Sequence, residues 1–291
     1  PESVQYEKKF YDFIICIFNH SFQIQQKDSI VTEIIFIGSL LLNKEEVDDK
    51  TKNEIMIQFS QLFIELLNSI DELKIQTILC FNRILSLDIQ PFKMDIIFEP
   101  SFQVIQNQNI NIMLRYNIAF LLSLSMSLDN SKISIEHLIS LFHQSINISI
   151  IVFDISPDQS DPDSVVMDLL MSECLRRIPD QQVQSIVIQT LQCLIGQSDA
   201  FTFSSGSLFA KLYTALMLID VTIKRSDYIF MNDIPQMIDI CILCLNADHL
   251  TVQNMASNLF CNHGSLFTGH ILPKILDFVN ASKWYKTSIE I

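Results

Sequence analysis

Glycine is scarce in this chain, 5 among 291 residues, and proline is modest at 8. A β-sandwich or a dinucleotide-binding fold needs more turn glycines than that, so helices joined by short turns are the economical reading. Long apolar runs are missing too. Hydrophobic residues make up 49% and mean hydropathy is +0.30. Yet the longest runs, IIFIGSLLL (34–42) and IAFLLSLSMSL (118–128), fall well short of the roughly 20 residues of a membrane span, and Glu33 and Arg115 lie close by. They read as buried helices, and no membrane insertion is expected.

Positive charge is in short supply. Lys and Arg total 19 against 33 Asp and Glu, a net charge of −14, and no run of basic residues forms a stripe along a helix. Non-specific nucleic-acid affinity comes from neutralising phosphates, so direct nucleic-acid binding is not expected, nor is attraction to an anionic membrane surface. A protein partner is expected, and a basic segment is the kind that long-range electrostatics favour. Acidity that merely keeps an apolar chain soluble is the other reading.

Catalytic signatures are absent as well. There is no Gly-rich phosphate loop and no His-Glu-x-x-His, and Ser204-Ser205-Gly206-Ser207 lacks the spacing of a nucleophile elbow. The six histidines form no i, i+4 pair. Glu45-Glu46 and Asp48-Asp49 lie in the polar stretch NKEEVDDK and read as solvated charge. The first residues, PESVQYEKKF, have neither an initiator Met nor a basic-then-apolar signal pattern. The expectation is a trimmed piece of something longer, with no targeting segment.

What the chain does have is cysteine, seven residues in apolar helical contexts. An odd number so placed suits reduced, buried thiols in an intracellular protein, cytoplasmic, nuclear or both, better than a disulfide framework. Four possible ligands do gather late in the chain: Cys241, Cys244, Cys261 and His263. Cys241 and Cys244 stand about 60° apart on a helix and could chelate together, whereas Cys261 and His263 stand about 200° apart unless their helix ends first. Ile242 and Leu243 between the first pair are also unlike a zinc knuckle. A zinc-dependent module therefore stays as the alternative to cysteines acting as small hydrophobes.

Helical periodicity recurs at long range. The segments IQTILCFNRIL (75–85), LRYNIAFLLSL (114–124), VQSIVIQTLQCL (183–194) and VQNMASNLFCN (252–262) each open on an aliphatic residue and carry one apolar stripe. Further copies are expected at IVTEIIFIGSLL (30–41) and LFAKLYTALMLI (208–219). Most follow a second amphipathic stretch and a turn with Asn or Asp. The unit is helix, short turn, helix, and anchors at 30, 75, 114, 183 and 252 lie 45, 39, 69 and 69 residues apart.

The stretch IPQMIDICILCLNADHLTVQNMASNLFCN (234–262) resembles an armadillo unit, with Ile234-Pro235 opening a helix, Asp248 at the turn, then Val252-Gln253, Ala256, Leu259-Phe260 and Asn262. The wider resemblance is to the armadillo and HEAT repeat families. It implies an all-α, right-handed α-solenoid of six or seven helical hairpins with a concave, partner-binding groove. By that resemblance, Gln189, Gln192 and Cys193 in one unit, and Asn258, Cys261 and Asn262 in another, would face the groove. Their amides either bind an extended peptide backbone or are simply solvated. The Asn ladder interleaved with Trp of armadillo transport receptors is not matched, since the one Trp is Trp284.

Local signals mark helix ends: Asp233 and Gln236 as a capping box, Pro235 in a first turn, and Gly264 as a left-handed cap. The stretch DISPDQSDPDS (154–164) is read as a non-helical loop whose Asp154, Asp158, Asp161 and Asp163 are either solvated or an acidic finger for a basic partner. It separates repeats in 1–153 from repeats in 165–291 of one continuous solenoid. A softer break, SDAFTFSSGS (198–207), could act as a hinge, and HILPKILDFVNAS (270–282) resembles the opening helix of another unit. The functional expectation is a non-enzymatic scaffold or adaptor, a segment or subunit of a larger complex and needing no cofactor. The alternative within that class is a nuclear transport receptor segment carrying basic cargo.

Overall fold

The computed structural model describes residues 31–45, 47–68, 73–155, 163–203, 205–225, 232–264 and 267. Among them are eleven α-helices and no strand, as the low glycine content predicts. The chain divides into two compact units, residues 1–133 and 134–291.

The first unit holds α1 (Val31–Leu42), α2 (Asp49–Asn68), α3 (Leu73–Leu85), α4 (Met94–Gln106) and α5 (Ile112–Leu128). Helices two apart in sequence pack together: α1 on α3, α3 on α5, and α2 on α4. Burial repeats with the same frame. Ile34 and Ile35, Thr77 and Ile78, and Ile118 and Ala119 are buried at equivalent places, 43 and then 41 residues apart, followed by buried Ser39, Asn82 and Ser123. Ser39 and Ser123 each donate a 2.8 Å hydrogen bond to the carbonyl three residues back. In the other row, Ile55, Phe59, Ser60 and Phe63 of α2 are matched 42 residues later by Ile97, Ser101, Phe102 and Ile105 of α4, all buried. This frame corrects the anchor spacing of 45 and 39. Ile75 is exposed and two residues out of register, and at about 100° per residue that shift turns it away from the core. Apolar residues on both faces of α3 hide the true frame in the sequence.

The centre of this unit is aromatic. Phe59, Phe63, Phe81 and Phe92 are fully buried, with Phe81 and Phe92 centroids 4.6 Å apart and Phe59 and Phe63 at 5.6 and 6.3 Å from Phe81. Off-parallel rings at these distances add about 0.5–1.5 kcal/mol per pair to their burial. Truncating Phe81, which touches all three others, would open a cavity costing about 3–5 kcal/mol.

The second unit holds α6 (Ile135–Ile155), α7 (Asp163–Arg177), α8 (Asp180–Leu194), α9 (Leu208–Arg225), α10 (Ile234–Leu245) and α11 (Leu250–Asn262). Helix α9 is its hub and packs against α6, α7, α8, α10 and α11. Its sequence allows this, because Thr214 through Ile223 is buried without interruption. The polar members Thr214 and Thr222 satisfy their hydroxyls on carbonyls four residues back.

Helix α6 is long and apolar enough to cross a membrane by length and composition, a feature the search for uninterrupted runs does not find because His143, Gln144, Ser145 and Asn147 break it. More than half of it is buried within the fold, and it packs against α7 and α9.

Several end signals act differently from expectation. Asp48 is exposed, as expected, and also caps α2, accepting the Thr51 N–H and hydroxyl at 2.9 Å each, bonds that hold its carboxyl below the usual range. Pro235 does lie in the first turn of α10, but Asp233 makes no side-chain cap; its carboxylate accepts from Gln184 Nε2 of α8 at 2.7 Å instead. Gly264 is not left-handed, and α11 ends at Asn262 with His263 as its C-cap. The left-handed glycine is Gly196 after α8, at φ 73°. There the Gln197 N–H reaches the Gln192 carbonyl at 2.8 Å and the Gly196 N–H reaches that of Cys193 at 3.2 Å, the paired bonds of a Schellman cap.

Candidate functional site

The acidic stretch is helical at both ends, since α6 runs through Asp154 and Ile155 and α7 begins at Asp163; this corrects the fully non-helical reading. Asp158 and Asp161 lie outside the described residues, as does the segment 270–282. Asp154 is exposed and also has a partner inside the fold. Its carboxylate accepts the Ser207 N–H at 2.9 Å and the Ser207 hydroxyl at 2.5 Å, and the Ser207 Oγ in turn accepts the Ala210 N–H at 3.1 Å. An anion held over the start of α9 suits the positive end of that helix. The chain comes this close because Gly206 has no side chain: a Cβ there would stand 2.2 Å from Ile150 Cγ2. Upstream in the same loop, Phe201 lies against His143 of α6 at 4.2 Å between centroids. Both contacts tie the expected hinge segment to α6.

The four residues of the zinc alternative do not gather into one site. Cys241 and Cys244 are buried. Burial raises both thiols, that of Cys244 to about 12, which opposes the thiolate that binds metal. Cys261 is exposed, and His263 Nε2 shares a 2.9 Å hydrogen bond with Asp220 of α9. Among the described residues no group of three or more His, Cys, Asp or Glu is placed to hold a metal. The apolar reading fits: Ile234, Ile238 and Cys241 of α10, and Val252, Ala256 and Leu259 of α11, are buried where these helices pack.

The amides assigned to a groove by resemblance sit on α8 and α11, both of which pack on α9. Gln189, Asn258 and Asn262 are exposed and Gln192 is half-buried. Their carboxamides point to no partner within the described residues, so they are available, but nothing gathers them into one cleft.

Two further features were not singled out in the sequence. The first is an ionic cluster in the second unit. Asp220 accepts from Lys224 Nζ at 2.5 Å and pairs with His263. Nearby Asp168 of α7 has a buried Oδ1 without a hydrogen-bond partner. Burial, and then the Asp220 charge, push its carboxyl up to about 7, against a smaller opposing pull from Lys224.

The second feature is a surface of the first unit. The repeat frame that buries one side of α1, α3 and α5 leaves Phe36, Leu79 and Phe120 at equivalent places on the other, followed by Leu40, Arg83 and Leu124. Phe36 is 62% exposed, Leu40 48% and Leu79 49%. Between α3 and α5 this surface dips into a groove of about 420 Å³ lined by Leu79, Cys80, Asn82, Arg83, Ser86 and Phe120. Single exposed leucines are ordinary, but an apolar row repeated on successive helices is not. Pattern matching could have found it: the same apolar residues, read with the frame of 43 and 41, fall on the side opposite the buried one.

Compared with protein-family models, curated proteins and solved structures, the chain matches none of them.

Proposed function

We propose that this chain is a non-enzymatic protein-interaction scaffold or adaptor of armadillo or HEAT type, working as a segment or subunit of a larger intracellular assembly. The observation that carries the reading is the repeated frame of the first unit: equivalent residues 41 to 43 apart, two rows of helices, and an apolar row exposed on α1 and α3 and continued by half-buried Phe120 on α5 among the described residues. Repeats of roughly 40 residues built from helix pairs are the hallmark of such solenoids, whose helices present an extended surface. A pre-organised surface of this kind binds a partner with little ordering cost of its own.

The test is a comparison of captured proteins. The chain and its double variant Phe36→Asp, Leu79→Asp are used as bait in extract of the source cells, after their melting curves are matched. Exposed apolar-to-charged changes alter stability by only about 0.5 kcal/mol, so the two should melt alike. The reading requires specific proteins that wild type retains and the variant loses. Identical captures, or a variant that unfolds because the row is really core, would contradict it.

A further inference from the structure

The chain's net charge of −14 favours basic partners at long range, yet the groove between α3 and α5 has the opposite local chemistry. Its walls are the apolar Leu79 and Phe120, and Arg83 stands exposed at its edge with no carboxylate paired to it among the described residues. At the floor, Asn82 is 4% exposed, its Nδ2 donates to the Asn117 carbonyl at 3.4 Å, and its Oδ1 accepts nothing. That oxygen is itself enclosed by the protein, so the groove offers a ligand its apolar walls and the Arg83 guanidinium. An apolar slot edged by an unpaired guanidinium describes the complement of what belongs there.

Building on the scaffold reading, we infer that this groove is a docking site for a short peptide segment of a partner protein, one that carries a large apolar side chain with an Asp or Glu close beside it. The apolar side chain fills the space between Leu79 and Phe120. The carboxylate meets Arg83, whose planar fork suits two parallel bonds. A long acidic run is disfavoured, because the chain carries a net charge of −14 and further carboxylates meet repulsion. One or two carboxylates in contact with Arg83 are enough.

The experiment is panning of a random dodecapeptide display library on the purified chain, followed by affinity measurements with synthetic copies of the enriched peptides on wild type, Leu79→Asp and Arg83→Glu. Both positions are exposed, and Arg83→Gln serves the comparison if the charge reversal disturbs the fold. The expected result is enrichment of Phe, Leu or Trp with Asp or Glu within a few positions. Loss of affinity on Arg83→Glu should be about tenfold or more, since attraction becomes repulsion. Replacing the peptide's acid by Lys should then restore binding to Arg83→Glu. If basic or uncharged peptides are enriched, lost on Leu79→Asp but indifferent to Arg83, the inference falls while the scaffold reading stands. If no peptide depends on either residue, the inference falls, and the capture comparison alone decides the scaffold reading. If instead wild type self-associates and Leu79→Asp abolishes that, the occupant is a second copy of the chain and the inference is overturned.

Discussion

Asp168 gives the sharpest thermodynamic prediction. An unfolded Asp titrates near pH 3.9, whereas in the folded protein burial, reinforced by Asp220, lifts this carboxyl to about 7. Between those values the unfolded chain has released its proton and the folded one still holds it, so stability falls as pH rises from about 4 to about 7 and then levels off. At about 1.4 kcal/mol per unit, full ionisation costs about 4 kcal/mol. Asp168→Asn removes that cost but leaves an amide incompletely paired where Oδ1 already lacks a partner, a penalty of about 1–3 kcal/mol. The net expectation at pH 8 is a variant more stable than wild type by about 1–3 kcal/mol, with the advantage disappearing or reversing at pH 4. Urea unfolding of both proteins across that range is the assay. Parallel pH profiles, or a variant less stable than wild type at pH 8, would refute the placement of the Asp168 carboxyl in a largely desolvated site near Asp220 and Lys224.

Two further outcomes follow from the packing. Asp154→Ala should lower stability by about 1 kcal/mol by removing the bonds that hold the Ser207 cap at the start of α9, while Gly206→Ala should cost about 1–3 kcal/mol by forcing a methyl into Ile150; thermal unfolding would rank them, and two silent variants would disprove the α6–α9 clasp. With a thiol reagent at neutral pH, Cys261 should react quickly and the buried Cys174, Cys241 and Cys244 only on unfolding, as peptide mapping of early-labelled sites would check.

The helices were legible because the apolar stripes are strong and turn residues few. The α10–α11 pair was read nearly residue by residue, since Ile238, Cys241, Val252 and Ala256 bury the predicted faces. The frame of the first unit was legible only approximately. Helix α3 carries Ile75 and Leu79 outside as well as Ile78 and Phe81 inside, so an alignment on aliphatic residues alone could slip by two. What the sequence hid were relations across distance: Asp154 bonded to Ser207, Asp233 to Gln184, and His263 to Asp220. Each of these side chains has a sensible local role as loop acid, helix cap or ligand, and in each a tertiary partner outcompeted it. The groove between α3 and α5 was hidden for a related reason. Its residues are unremarkable singly, and their meaning depends on which neighbours leave Arg83 unpaired among the described residues.

Amide hydrogen exchange on the chain with and without a saturating, Leu79-dependent peptide tests the central claim most directly. The scaffold account predicts new protection concentrated in α3 and α5 and extending toward α1, with the second unit unchanged. Protection centred instead on α8 and α11, around Gln189 and Asn258, would contradict it and return the binding surface to the exposed amides.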